Sequence, residues 1–164
     1  MRLRTALITL SALAMTACVP TPMFRDAPVE ASPSPRAVAA QIEAQRDRTV
    51  LWGGMVIELT EFEGYVEIEV LGFPTDSQAR PIPQARDGGR FIAIRAGRVD
   101  ANEVVPGRFL TLTGSITGER RVRVGEQELT LPEIDTREIH LWPQDWNTRE
   151  RPRISVGIGV RGGF

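Results

Sequence analysis

One histidine, His140, and one cysteine, Cys18, limit the chemistry open to a chain of 164 residues. General acid–base work at His140 needs a partner within hydrogen-bond reach, and the sequence identifies none. His140 alternates with Ile139 and Leu141, the placement of a strand residue facing away from them. A lone cysteine rules out an intrachain disulfide framework and a Cys-cluster metal site. Glu58, Glu61, Glu63, Glu67 and Glu69 make an acidic hairpin. Calcium takes carboxylates, but no EF-hand spacing is present, and a solvated strand face is expected. Paired carboxylates could serve a hydrolase, yet nothing fixes a pair at catalytic separation. Arg120, Arg121 and Arg123 form a small basic cluster, and Arg149, Arg151 and Arg153 form another; the first is a candidate binding patch. Trp52 is a candidate for stacking on carbohydrate, weighed against a place in the core or against the N-terminal segment. The run Gly157-Ile158-Gly159-Val160-Arg161-Gly162 satisfies G-x-G-x-x-G. A dinucleotide site needs a helix after that run, and none is expected so close to Phe164. No catalytic residue, metal or cofactor is assigned.

Composition bounds the rest. The apolar fraction of 41% suits a globular core, and 164 residues suit one domain with tails. A net charge of −1 argues against a dedicated nucleic-acid binder, so nucleic acid is not expected as a partner. Every basic residue apart from His140 is arginine, which suits bidentate contact with phosphate.

Cys18 has a chemistry of its own. Arg2 and Arg4 open the chain, and residues 5–17 are uncharged, with Ala6, Leu7, Ile8, Leu10 and Leu13 supplying apolar weight. That is the build of a secretory signal peptide, too short for a bilayer core that needs ~20 residues. The stretch ends Met15-Thr16-Ala17-Cys18, which resembles a bacterial lipobox, with Met15 in place of the usual Leu. Cys18 is therefore the expected lipidation site and the expected first residue of the mature chain. Its acyl chains would be the membrane partner, anchoring the protein without a transmembrane helix. Val19, in place of the Asp that marks inner-membrane retention, points to the outer membrane. Loss of residues 1–17 leaves 18 Arg against 21 Asp and Glu, a net charge of −3.

The elements that follow divide the chain. Residues 18–35 carry Pro20, Pro22, Pro28, Pro33 and Pro35 and read as a polyproline tether. Ser34-Pro35 is a helix N-cap followed by Pro at the first helical position. One amphipathic helix is expected over 36–48, with Val38 and Ile42 as its apolar pair. From Thr49 the period becomes two. Leu51, Met55, Ile57 and Leu59 alternate along a first strand, and Glu63-Gly64 looks like its turn. Val66, Ile68 and Val70 line one face of a second, opposite Tyr65, Glu67 and Glu69. Residues 73–89 are a loop, and 91–96 a third strand. Leu110, Leu112, Gly114 and Ile116 line a fourth. Val122 and Val124, then Leu129 and Leu131, flank a Gly125-Glu126 hairpin turn, and 134–141 closes the set. Gly53-Gly54 inside a strand signals a bulge or a close backbone approach. The expectation is a mainly β fold: a small closed or partly open OB-like barrel of about six strands with one N-terminal helix. The domain limits expected are 1–17 signal peptide, 18–35 lipidated Cys and tether, 36–143 barrel, and 144–164 a Gly/Arg-rich tail.

Five ordered segments carry a resemblance. Val50-Leu51-Trp52-Gly53-Gly54-Met55-Val56 resembles the RWGGVI-type segment of the Slp family of starvation-inducible outer-membrane lipoproteins. Pro74-Thr75-Asp76 with Ala79-Arg80-Pro81 is similar to that family's PLD…RP stretch. Gly89-Arg90-Phe91-Ile92-Ala93, and Pro106-Gly107-Arg108 through Leu112-Thr113-Gly114, resemble its GRF and PGR…VVG strands. His140-Leu141-Trp142-Pro143 resembles its YHLWP. Gly97-Arg98-Val99-Asp100-Ala101 lacks the Pro usual after that Asp, Thr75 replaces a Leu, and the tail lacks the family's Tyr residues. The resemblance implies an outer-membrane lipoprotein linked to stress or starvation, and it supplies no catalytic residue. The function expected is a non-enzymatic envelope role, structural or in binding. Lipid phosphates, peptidoglycan or envelope proteins are the candidate partners. A periplasmic hydrolase with paired carboxylates stands as the alternative.

Overall fold

Alternation of apolar and polar residues marks a strand with one buried face, and it runs through five strands here. The computed structural model describes residues 23–146. Within them lie β1 (Thr49–Glu61), β2 (Tyr65–Phe73), β3 (Gly89–Ala96), β4 (Phe109–Val124) and β5 (Gln127–Leu141). They close into a barrel in the order β1-β2-β3-β5-β4, with β4 pairing back to β1. The pairings are antiparallel except β3 with β5, which is parallel. The OB-like barrel is thus present, with five strands in place of about six. Val122–Leu131, expected as a hairpin of its own, is the far end of β4 and β5, joined at Gly125, whose φ is +62°.

The interior is built from the faces the alternation marks on β2 and β4: Val66, Ile68 and Val70, then Leu110, Leu112 and Ile116, all buried. Phe91, Ala93 and Ile134 complete it. β1 differs from expectation. Its inward face is Val50, Trp52 and Val56, while Leu51, Met55 and Ile57 point outward. A bulge between Val56 and Glu58 then shifts the register, so that Leu59 packs on the core. The bulged backbone is satisfied from the β3–β4 loop: Val56 N–H donates to the Arg108 carbonyl at 2.8 Å, and Gly107 N–H donates to the Val56 carbonyl at 2.9 Å.

The single helix expected over 36–48 is two short turns, α1 (Pro35–Ala39) and α2 (Ile42–Gln45). Ser34 caps α1 as expected, its Oγ accepting from Ala37 N–H at 3.3 Å. Val38 and Ile42 both reach the core, so the apolar pair survives the break between the turns. α1 packs against β3 and β5 and closes one end of the barrel.

The expected tether, from Phe24 onward, is docked. Phe24 is 4% exposed. Arg25 N–H donates to Glu138 Oε2 at 3.0 Å, and Leu51 N–H donates to Ser32 Oγ at 2.8 Å. Residues 24–34 form a strap across β1 and β5. A proline-rich segment makes no internal hydrogen bonds, so its carbonyls are open to the barrel.

Candidate functional site

The outward face of the first half of β1 is covered twice, by the strap and by loop 74–82. Gly53 makes the second cover fit. A Cβ there would lie 2.7 Å from Thr75 Cγ2 and 3.0 Å from Pro81 Cγ. At Gly54 a Cβ would lie 2.4 Å from the Leu71 carbonyl oxygen, so the close approach expected of this Gly pair is real. Thr111 on β4 ties the loop down: its hydroxyl donates to the Ala79 carbonyl at 2.6 Å and accepts from the Trp142 indole N–H at 3.0 Å. Asp76 shapes the loop from within, accepting from the backbone N–H of Gln78 and from the backbone and guanidinium of Arg80 at 2.8 to 2.9 Å. Partial burial pushes the Asp76 carboxyl up, but the Arg80 backbone N–H, the Arg80 guanidinium and the Gln78 N–H outweigh it and hold it below its ordinary value.

Trp52 sits beneath the strap. Its ring is 4% exposed, 4.9 Å from Phe91, and its indole N–H donates to the Pro33 carbonyl at 2.7 Å. The carbohydrate-stacking expectation is corrected here, because a ring so buried offers no platform. Core and strap contact, the other reading of Trp52, both hold. Between strap and loop runs an open groove of about 660 Å³, walled by Val29, Glu30 and Ser32 on one side and Phe73, Thr75 and Asp76 on the other. An aromatic chain closes the neighbouring edge. Trp142 meets His140 at 4.5 Å and Trp146 at 5.6 Å, and Trp146 meets Phe109 at 5.7 Å. Burial pushes the His140 imidazole down, towards its neutral form.

The basic cluster does not assemble. Strand alternation separates Arg120 from Arg121 and Arg123. Arg120 reaches Glu67 at 2.5 Å and Glu133 at 2.7 Å. Arg121 lies 3.7 Å from Glu119, and Arg123 is exposed. The reading of the three as one patch is corrected, since adjacency in a strand is opposition in space. The acidic hairpin divides likewise. Glu58, Glu61 and Glu63 are exposed, whereas Glu67 pairs with Arg120 and Glu69 pairs with Arg90 at 2.9 Å. The hydrogen bond from Arg120 holds the Glu67 carboxyl below its ordinary value, against the opposing push of burial. Among the described residues no group of three or more His, Cys, Asp or Glu is placed to hold a metal. Cys18, the second arginine cluster and the glycine run at 157–162 lie outside the described residues.

Sequence reasoning singled out neither Thr111 nor Phe24. The signal for Thr111 is the Gly53-Gly54 pair: a strand without side chains at two positions leaves room that a neighbour fills. Four of the five segments that carry the family resemblance meet at this covered flank: Trp52 to Gly54, Thr75 to Pro81, Thr111 and Trp142.

Comparison with known proteins agrees. The model of the outer membrane lipoprotein Slp family matches residues 15–158. An uncharacterized protein of Haemophilus influenzae is 26% identical over 129 residues, covering 78% of this chain and 70% of its own. In fold, the barrel is similar to a small single-stranded DNA-binding protein from Streptomyces coelicolor, with a TM-score of 0.40 at 13% identity over 58% of this chain and 94% of that one. It is also similar to the mitochondrial single-stranded DNA binding protein Rim1 of S. cerevisiae, with a TM-score of 0.39 at 12% identity and the same coverage. The exclusion of nucleic acid as a partner is therefore withdrawn. It rested on net charge, and these two neighbours are named as single-stranded DNA-binding proteins.

Proposed function

This chain belongs to the outer membrane lipoprotein Slp family, and from that premise we propose that its mature form begins at an acylated Cys18 and acts by contact rather than by turnover. The carrying observation is the lipobox-like Met15-Thr16-Ala17-Cys18, which puts the chain's one cysteine where acylation needs it, at the start of the matched region. A triacylated Cys18 would exceed the two signals that stable anchoring takes. Val19 supports an outer-membrane destination.

Support for a non-enzymatic role comes from the carboxylates. A glycosidase-type pair needs one carboxyl with a raised pKa to serve as acid. Glu67 and Glu133 do converge, but on Arg120, and Glu67 is held below its ordinary value. The hydrolase alternative gains nothing from that geometry. The groove between strap and loop is the place where contact with another envelope component would be made. A link to stress or starvation follows from the resemblance and is checked by protein level on nutrient withdrawal.

Fractionation tests the reading. Wild type should travel with the outer membrane, and Cys18→Ser should be released or remain an uncleaved precursor. Val19→Asp should move part of the protein to the inner membrane. Wild type recovered free of membranes would contradict the proposal.

A further inference from the structure

Phe24, buried against the barrel, lies six residues after Cys18. Six residues, fully extended, span at most about 22 Å. The strap that follows adds no slack, because Phe24 is buried and Arg25, Ser32 and Pro33 are each hydrogen-bonded to the barrel. Whatever holds Cys18 therefore also holds one particular side of the barrel close by.

That side has the right chemistry for a bilayer. Beside Met23 lies a shallow groove of about 420 Å³, lined by Met23, Phe24, Ala27, Leu51, Ala79 and Trp142, with Ser77 and Gln78 at its rim. None of these eight side chains is charged, in a chain of which a quarter is. An uncharged surface approaches headgroups without the cost of desolvating an ion. Met23 is an exposed apolar side chain, 50% accessible. Trp142, at the base of the groove, is of the type enriched at membrane interfaces.

We infer that the barrel face around Met23 and its uncharged groove is a membrane-contact surface that rests against a lipid bilayer. This rests on the acylation of Cys18. The short link sets the distance, and the docked strap sets which face is presented. The β4–β5 hairpin turn is remote from it: Thr113, which pairs with Leu51, is eleven residues from Val124, up to about 36 Å along the strand.

The test uses the mature acylated protein in phosphatidylethanolamine–phosphatidylglycerol vesicles. Acylation consumes the native thiol, so Gln78→Cys and Glu126→Cys each carry one free thiol for a fluorophore. Lipids bearing a headgroup nitroxide serve as quencher. The expected result is a large loss of fluorescence at position 78 and a small one at 126. Phe24→Asp, checked for fold by circular dichroism, should release the strap and shrink that difference. Equal quenching at both positions in protein that floats with the vesicles and carries its acyl mass would overturn the contact surface while leaving the anchor standing. An unchanged difference in Phe24→Asp would overturn the strap as its cause. Protein that carries no acyl mass and does not float would overturn the anchor itself and the inference with it.

Discussion

Along β1 and the adjoining half of β4, the barrel wall is covered by its own chain. Along β2 and the far half of β4, it is faced with paired charges. The first flank is held by buried Phe24, the Gly53 and Gly54 contacts, and hydrogen bonds from Trp52 and Thr111 to backbone carbonyls. The second is held by Arg120 with Glu67 and Glu133, and by Arg90 with Glu69. Neutral contacts are indifferent to ionic strength, whereas partly exposed ion pairs weaken as salt screens them. The covered flank, whose charged contacts are the Asp76–Arg80 pair within the loop and those of the strap with Glu138 and Arg137, should therefore depend less on ionic strength than the second.

The largest effect comes from the interior that both flanks share. Leu112→Asp puts an unpaired charge among Leu110 and Ile116, with no solvent to stabilise it. Loss of the folded state is expected, seen as loss of β signal and of a cooperative urea transition. A variant as stable as its parent would mean that the buried face of β4 is misplaced.

Next come two variants that set the flanks against each other. Phe24→Ala should cost about 3 kcal/mol, the usual range for a buried aromatic, with no dependence on salt. Arg120→Ala should cost about 1 kcal/mol in dilute buffer, since the side chain is 39% exposed, and less at high ionic strength. Arg121→Ala should be silent. Urea titrations at two salt concentrations decide. A salt-dependent Phe24 effect, or a salt-independent Arg120 effect, would erase the contrast.

The smallest effect is in pH. Glu67 is held below its ordinary value near 4.5, so as pH falls the unfolded chain takes up that proton first. The stability it contributes is present above about 4.5 and fades as pH falls through the folded value. His140, held below 6.5 by burial, acts in the same direction from a higher pH: the unfolded chain protonates first, and stability declines as pH drops below 6.5. Arg120→Ala should flatten the acid limb, and His140→Gln the part near neutrality. Thermal midpoints measured across the acid range check both.

How much of this could be read from the chain depends on how many sides of a residue are covered. β2 has one buried face, and β4, buried on both faces at Thr111 and Thr113, keeps polar residues on its outer one, so the inward residues were legible as Val66, Ile68 and Val70, and as Leu110, Leu112 and Ile116. β1 misled because strap and loop make its outer face apolar as well, so Leu51, Met55 and Ile57 mimic an inward set. The strap was illegible because proline content reports the local conformation of a segment, not whether it is docked. The arginine patch failed for a cross-strand reason: Glu67 is 53 residues from Arg120 and meets it only once the barrel closes. At the covered flank, the glycine pair announced a close approach but not what would fill it.

In the function proposed above, this barrel is carried by lipid on Cys18. The most direct measurement is the intact mass of the mature protein extracted from membranes. The expected mass is that of a chain starting at Cys18, lacking residues 1–17 and heavier than the bare sequence by its acyl groups. A mature chain with an unmodified Cys18, or one that starts elsewhere, would contradict it.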